Sequence, residues 1–248
     1  MADRNQTPQA KSEPPARSQL GVLRFSAEQF LLFLAFFLVS LPFVEKLPHG
    51  DYIDGTLLTL VLLSGVIAVG RSRRTLTLAA ALVVPAIIGR WVNQLHPDLV
   101  AREVFIVAGL AFIIFLITNL LRFILRAPRV NSEVLCAGIS AYLLLGMAWM
   151  FAYLLVAELV PDAFSFATGP ESGRVMSAFN AYYFSFITLC TVGYGDIVPV
   201  SHVARMLAAM EAATGTLFMA VLIARLVAMY SIQPPTTGQP ENRTDSQP

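Results

Sequence analysis

Nine consecutive residues carry most of the recognisable chemistry in this 248-residue chain: Thr188, Leu189, Cys190, Thr191, Val192, Gly193, Tyr194, Gly195 and Asp196. Gly193 and Gly195, two positions apart, supply places where a positive φ costs little. A backbone that alternates between right- and left-handed conformations can turn a row of carbonyls toward one axis. Carbonyl oxygens so arranged replace the water that a cation gives up on entering a narrow passage. Thr191 adds a side-chain oxygen below its own carbonyl, while Val192 and Tyr194 are expected to point away from the axis and pack behind the row, holding its width. Gly-Tyr-Gly alone is a common turn. The longer pattern Thr-x-x-Thr-x-Gly-Tyr-Gly-Asp is far more specific, since it fixes six positions and lies between two membrane-length apolar runs.

The stretch from Tyr182 to Val200 resembles the pore loop of potassium channels, specifically of small bacterial members with six spans and a single loop, and the resemblance extends over residues 131–230. It implies that Thr191, Val192, Gly193 and Tyr194 coordinate K+ as a selectivity filter, supported by Thr188, Gly195, Asp196 and Tyr183. Tyr183 falls where the family places the partner of the Asp196 carboxylate; the alternative is that Tyr182 and Tyr183 are only interfacial aromatics. Some relatives carry an acid at the position of Ile187, whose side chain forms no hydrogen bond, which leaves inactivation open. Gly215 falls at the family's gating hinge, with close helix packing as the alternative. Arg205 also matches the family pattern, although an interfacial anchor is the plainer explanation. K+ is expected as the permeant ion, with no cofactor. One filter per chain implies a homotetramer, because a ring of carbonyls needs several copies of the strand.

The elements that hold such a loop are legible in the composition. With 56% hydrophobic residues, 13% charged residues and a mean hydropathy of +0.66, the chain is too apolar for an ordinary soluble domain. A crossing helix needs about 20 mostly apolar residues. Six stretches qualify: 27–47, 52–70, 75–91, 103–125, 134–160 and 203–230. Pro85 is a candidate kink in the third. Ser177 is placed to cap a short pore helix over 178–189, whose partially negative C-terminal end would face the membrane centre and favour cations. The fold class expected is therefore an all-α membrane protein of six transmembrane helices plus a re-entrant pore helix and filter, in a tetrameric channel. Its divisions are a tail over 1–24, a four-helix region over 25–130, a pore domain over 131–230 and a tail over 231–248, both tails reading as disordered. The first apolar run reads as a retained helix and not a signal peptide.

With both termini inside, only five of 17 Lys and Arg residues stand outside, Lys46, Arg90, Arg102, Arg174 and Arg205, as the positive-inside rule favours. This puts the filter at the outer face with the termini cytoplasmic, and the resemblance implies a cell membrane, the bacterial inner membrane. The net charge of +1, spread along the cytoplasmic edges, gives no sign of a nucleic-acid partner. A voltage sensor is disfavoured, because residues 103–121 contain no basic residue and Arg122, Arg126 and Arg129 gather at one end. Glu211 is unusual, being a carboxyl inside a span. It is expected to bond Thr188, Ser185 or a neighbouring subunit, or to be protonated, and a structural role is favoured over ion binding. His49, His96 and His202 lack metal-ligand spacing, and Cys136 and Cys190 lie too far apart across a membrane for a disulfide. No catalytic triad, phosphate-binding loop or cofactor motif is present, so an enzyme is not expected. The reading that follows is a passive, potassium-selective channel without steep voltage dependence. The alternatives are a potassium carrier or transport subunit, which usually carries several degenerate loops per chain, and a less selective cation channel.

Overall fold

A computed structural model describes residues 18–44, 47–69, 73–96, 102–128, 131–167 and 174–231. Residues 1–17 and 232–248 of the expected tails, together with Lys46, Arg71, Ser72 and Arg129, lie outside the described residues. Seven helices follow in order: α1 (Ser18–Val44), α2 (Gly50–Val69), α3 (Arg73–Leu95), α4 (Arg102–Arg126), α5 (Ser132–Leu159), α6 (Ala178–Leu189) and α7 (His202–Ser231). All but α6 are long and apolar enough to cross a membrane, as the six apolar stretches require. The chain is thus an all-α, multi-pass membrane protein. Helix α1 begins at Ser18, nine residues before the expected apolar stretch. Residues 18–24 are therefore helical where a tail was expected, since each residue added to an existing helix gains a hydrogen bond without a new nucleation cost. Helix α3 runs unbroken through Pro85.

One apolar core joins the first four helices to α5. It brings Phe30, Leu34 and Phe37 of α1 together with Ile106, Phe112 and Leu116 of α4 and Leu144, Met147 and Phe151 of α5. Small residues let the helices approach: a Cβ on Gly109 would come within 2.8 Å of the Phe151 ring. Helix α5 is the hub, with 56% of its apolar window buried, whereas α7 has only 11% of its own buried within the chain. Two three-residue strands, β1 (Phe164–Phe166) and β2 (Ile197–Pro199), pair antiparallel with Ser165 opposite Val198. Neither has a periodic signal in the sequence, yet together they tie the segment after α5 to the segment that leaves the loop.

Candidate functional site

Helix α6 has 12 residues, a length of about 18 Å at 1.5 Å per residue, too short to cross the hydrocarbon core. Its start is the expected one: the Ser177 side chain accepts from the Asn180 N–H at 3.2 Å in extended backbone. At its end the helix hands its free carbonyls to the loop. Cys190 N–H donates to Phe186 O at 3.0 Å and Thr191 N–H to Thr188 O at 2.9 Å. The amides of Val192 and Gly193 both donate to Ile187 O, at 2.8 and 3.2 Å.

Beyond that anchor the backbone alternates in hand. Positive φ occurs at Thr191 (58°), Gly193 (55°) and Gly195 (79°), every second residue, which is the backbone condition for successive carbonyls to share one side. The two glycines were legible for this role. Thr191 was not, because a β-branched residue pays about 1–2 kcal/mol in the left-handed region. The paired amides at Ile187 O hold the loop in that conformation. Within one chain Val192 and Tyr194 have little to pack behind, being 52% and 72% exposed.

The outer side of the loop is fastened by two devices. Tyr183 on α6 donates to Asp196 Oδ2 at 2.8 Å, the pairing expected from the sequence. Burial first, and this bond second, push the Tyr183 phenol up to about 12, so it stays a donor through the neutral range. The strand pair is the second device: Ala167 N–H donates to Asp196 O at 2.8 Å, extending β1 toward the loop. Phe164 of β1 packs edge-on against Tyr153 of α5 and Phe184 of α6, with ring centroids 5.8 and 5.6 Å away. Arg205, at the start of α7, donates from Nε to Pro199 O at 3.2 Å while remaining exposed.

Behind α6, Glu211 is fully buried. Its carboxyl meets Ser185 Oγ and Tyr153 Oη, each at 2.5 Å, and Ser185 Oγ also lies 2.8 Å from Gly146 O. Ser185 was among the partners considered from the sequence; Tyr153 was not. Among the described residues Glu211 forms no hydrogen bond with Thr188. Gly215 lies four residues further along α7, where a Cβ would run into the Leu189 carbonyl oxygen and approach Leu189 Cδ1 to 2.9 Å. Helix α7 passes through Gly215 without a break. Tyr153 carried no distinguishing signal, its hydroxyl being one of three in the interior of α5 with those of Ser140 and Tyr142, and 58 residues from its partner. His49, His96 and His202 do not come together, and among the described residues no group of three His, Cys, Asp or Glu could hold a metal. Cys136 and Cys190 are both free.

Six helices long and apolar enough to cross a membrane, with a short capped helix packed between α5 and α7 and leading into an alternating loop, give the chain the architecture of a membrane protein with a pore loop. Residues 139–231 match a family model described as an ion channel. The chain is 36% identical over 87 residues to two-pore potassium channel 4 of Arabidopsis thaliana, covering 35% of this chain and 30% of that one. It is 30% identical over 97 residues to the inward rectifier potassium channel Kirbac3.1 of Paramagnetospirillum magnetotacticum, covering 39% and 29%. Against the calcium-gated potassium channel TvoK of Thermoplasma volcanium it is 29% identical over 97 residues, covering 38% and 28%. The matches span less than a third of each of these relatives. Residues 139–231 are thus similar to an ion-channel family, and the chain is similar to potassium channels over stretches of 87 to 97 residues.

Proposed function

We propose that this chain forms a homotetrameric, potassium-selective channel that conducts K+ passively down its electrochemical gradient. The observation that carries the reading is the alternation of positive φ at Thr191, Gly193 and Gly195, at the end of a re-entrant helix held between α5 and α7. The carbonyls of Thr191, Val192, Gly193 and Tyr194, with the Thr191 hydroxyl, coordinate dehydrated K+. Thr188, Tyr183, Gly195 and Asp196 support them, and Glu211 and Arg205 brace the surrounding helices. Four copies complete the ring. The exposure of Val192 and Tyr194, and the sparse burial of α7 within one chain, support neighbouring subunits as what covers them.

The chain divides into a four-helix region over 25–130 and a pore domain over 131–230. Between Glu103 and Leu121, α4 carries no basic residue, so steep voltage dependence is absent. The protein lies in a bacterial inner membrane with its termini cytoplasmic and the filter at the outer face. Gly215 packs against α6 in the structure described, and bending there on opening is the hinge role assigned to it. Purified protein in liposomes tests the whole reading. Fast K+ flux with little Na+ permeation, abolished by altering the filter, is expected; slow, coupled turnover or equal Na+ flux overturns it.

A further inference from the structure

Three side chains from three helices converge behind the filter: Tyr153 of α5, Ser185 of α6 and Glu211 of α7, each with 0% of its surface exposed. Three oxygen–oxygen contacts join them to one another and to the backbone. They are Tyr153 Oη to Glu211 Oε2, Ser185 Oγ to Glu211 Oε1, and Ser185 Oγ to the Gly146 carbonyl oxygen. Each contact needs one hydrogen. The Gly146 oxygen can only accept, and each hydroxyl owns a single hydrogen. With Glu211 ionised, the cluster has two hydrogens for three contacts. Ser185 must then abandon either Glu211 or Gly146, leaving two acceptor oxygens facing each other in a buried site, which is costly.

With Glu211 protonated, hydrogens and contacts match. Glu211 Oε1–H donates to Ser185 Oγ, Ser185 O–H donates to Gly146 O, and Tyr153 O–H donates to Oε2. The contact lengths do not choose between the two states, because 2.5 Å is at the short end for O–H···O in either. The surroundings agree with the count. Among the described residues no Lys, Arg or His forms an ion pair with Glu211. The titratable groups facing it are Tyr153 and, earlier in α5, Tyr142, neither of which supplies positive charge. An unpaired buried carboxylate is the expensive alternative.

We propose that Glu211 is a neutral carboxylic acid whose donated proton locks the pore helix between α5 and α7, and that losing this proton to water releases the helix and with it the filter. Ser185 stands two residues before Ile187, whose carbonyl holds the amides of Val192 and Gly193. Movement of α6 at Ser185 therefore reaches the filter directly. Glu211 is a positioning residue and touches no ion. The effect on flux rests on the channel reading, but the protonation state does not.

Infrared difference spectroscopy of the wild-type protein reads the proton itself. A carboxylic-acid carbonyl band at neutral pH that disappears in Glu211→Gln is expected; a carboxylate band assigned to Glu211 at neutral pH overturns the proposal. Flux gives the second arm. The Gln amide donates to Ser185 and accepts from Tyr153 as the neutral acid does, so Glu211→Gln should conduct within about twofold of wild type at neutral pH. Wild-type flux should fall at alkaline pH while that of the Gln variant stays flat. Assembled Glu211→Gln tetramers that have lost flux, or that share the wild-type alkaline decline, overturn it. Wild-type liposomes without K+ flux would instead defeat the channel reading, with the infrared result still deciding protonation.

Discussion

Helices α1–α4 and the segment from α5 to α7 are held together by different forces. The first four meet mainly through apolar side chains, with a hydrogen bond from Trp91 Nε1 of α3 to Thr59 Oγ1 of α2 at 3.2 Å and ion pairs towards the helix ends, Arg90 to Asp54 at 3.4 Å and Arg102 to Glu158 of α5 at 2.8 Å. The buried polar and charged residues among the described residues, Glu133, Ser140, Ser185 and Glu211, all belong to α5–α7. Apolar contact is non-directional, so the four-helix region needs side chains of about the right volume more than particular atoms in particular places. Hydrogen bonds are directional, and a buried unmade one is costly. The pore segment thus spends its polar residues where a displacement of about 1 Å would matter most.

The sharpest way to break this contrast is at the alternating backbone. Gly195→Ala places a side chain at φ 79°, and since nothing lies within 4 Å of the added Cβ in the chain, the penalty is conformational. It amounts to about 1–2 kcal/mol in each copy. We expect discrimination of K+ over Na+, read from paired fluxes in liposomes, to fall by at least about tenfold, the equivalent of about 1.4 kcal/mol. Unchanged selectivity would show that the alternation is not what orders the carbonyls.

The next effect in size is expected at Gly215→Ala. The added Cβ strikes the Leu189 carbonyl oxygen at the end of α6, with backbone on both sides of the contact, so overpacking of about 1–3 kcal/mol is expected. A packing role predicts a lower melting temperature of the assembled protein together with altered selectivity, because the strain enters at the base of the filter. A hinge role predicts wild-type melting and selectivity with altered opening. The same measurements separate them.

The glycines of the loop also show what the sequence made legible. Gly193 and Gly195 announce themselves because few other residues tolerate their backbone, and Ser177 does because a hydroxyl before an apolar run is a cap signal. Helix lengths were readable because the bilayer sets them. The left-handed Thr191 was not readable, since local preference argues against it and what opposes that preference is a set of amide bonds from Thr191, Val192 and Gly193 to carbonyls at the end of α6. Tyr153 was equally hidden. Its meeting with Glu211 is a product of how α5 and α7 cross, which no local pattern encodes. The strand pair was missed for the same reason: three residues at Phe164 meet three at Ile197 with no alternation long enough to read.

A smaller change is expected where the polar network reaches solvent. Tyr183→Phe removes the donor to Asp196 Oδ2, a loss of about 1 kcal/mol at this partly exposed position. Faster inactivation with selectivity preserved is the expected record. The pH dependence has a definite sign. Because the phenol is raised in the folded protein, its contribution is fully present below the ordinary tyrosine value of about 10. It is lost as the pH rises through about 12. A variant with wild-type inactivation would reduce Tyr183 to an interfacial aromatic.

The smallest effect belongs to the four-helix region. Arg90 donates to Asp54 Oδ2 at 3.4 Å and to Asp51 O at 3.2 Å, and its guanidinium stands 5.8 Å from the centre of the Phe105 ring. These contacts link the start of α2 to the end of α3 and the start of α4, and the 3.4 Å separation of the partly buried Arg90 and Asp54 is long for a strong pair. Arg90→Gln should therefore cost no more than about 1 kcal/mol in thermal stability and leave K+ flux and selectivity at their wild-type values. The contrast between the two regions depends on this near-neutrality. If Arg90→Gln altered selectivity as Gly195→Ala is expected to, then α1–α4 would be setting the filter through α5, and directional contacts at their outer ends would matter as much as those behind α6.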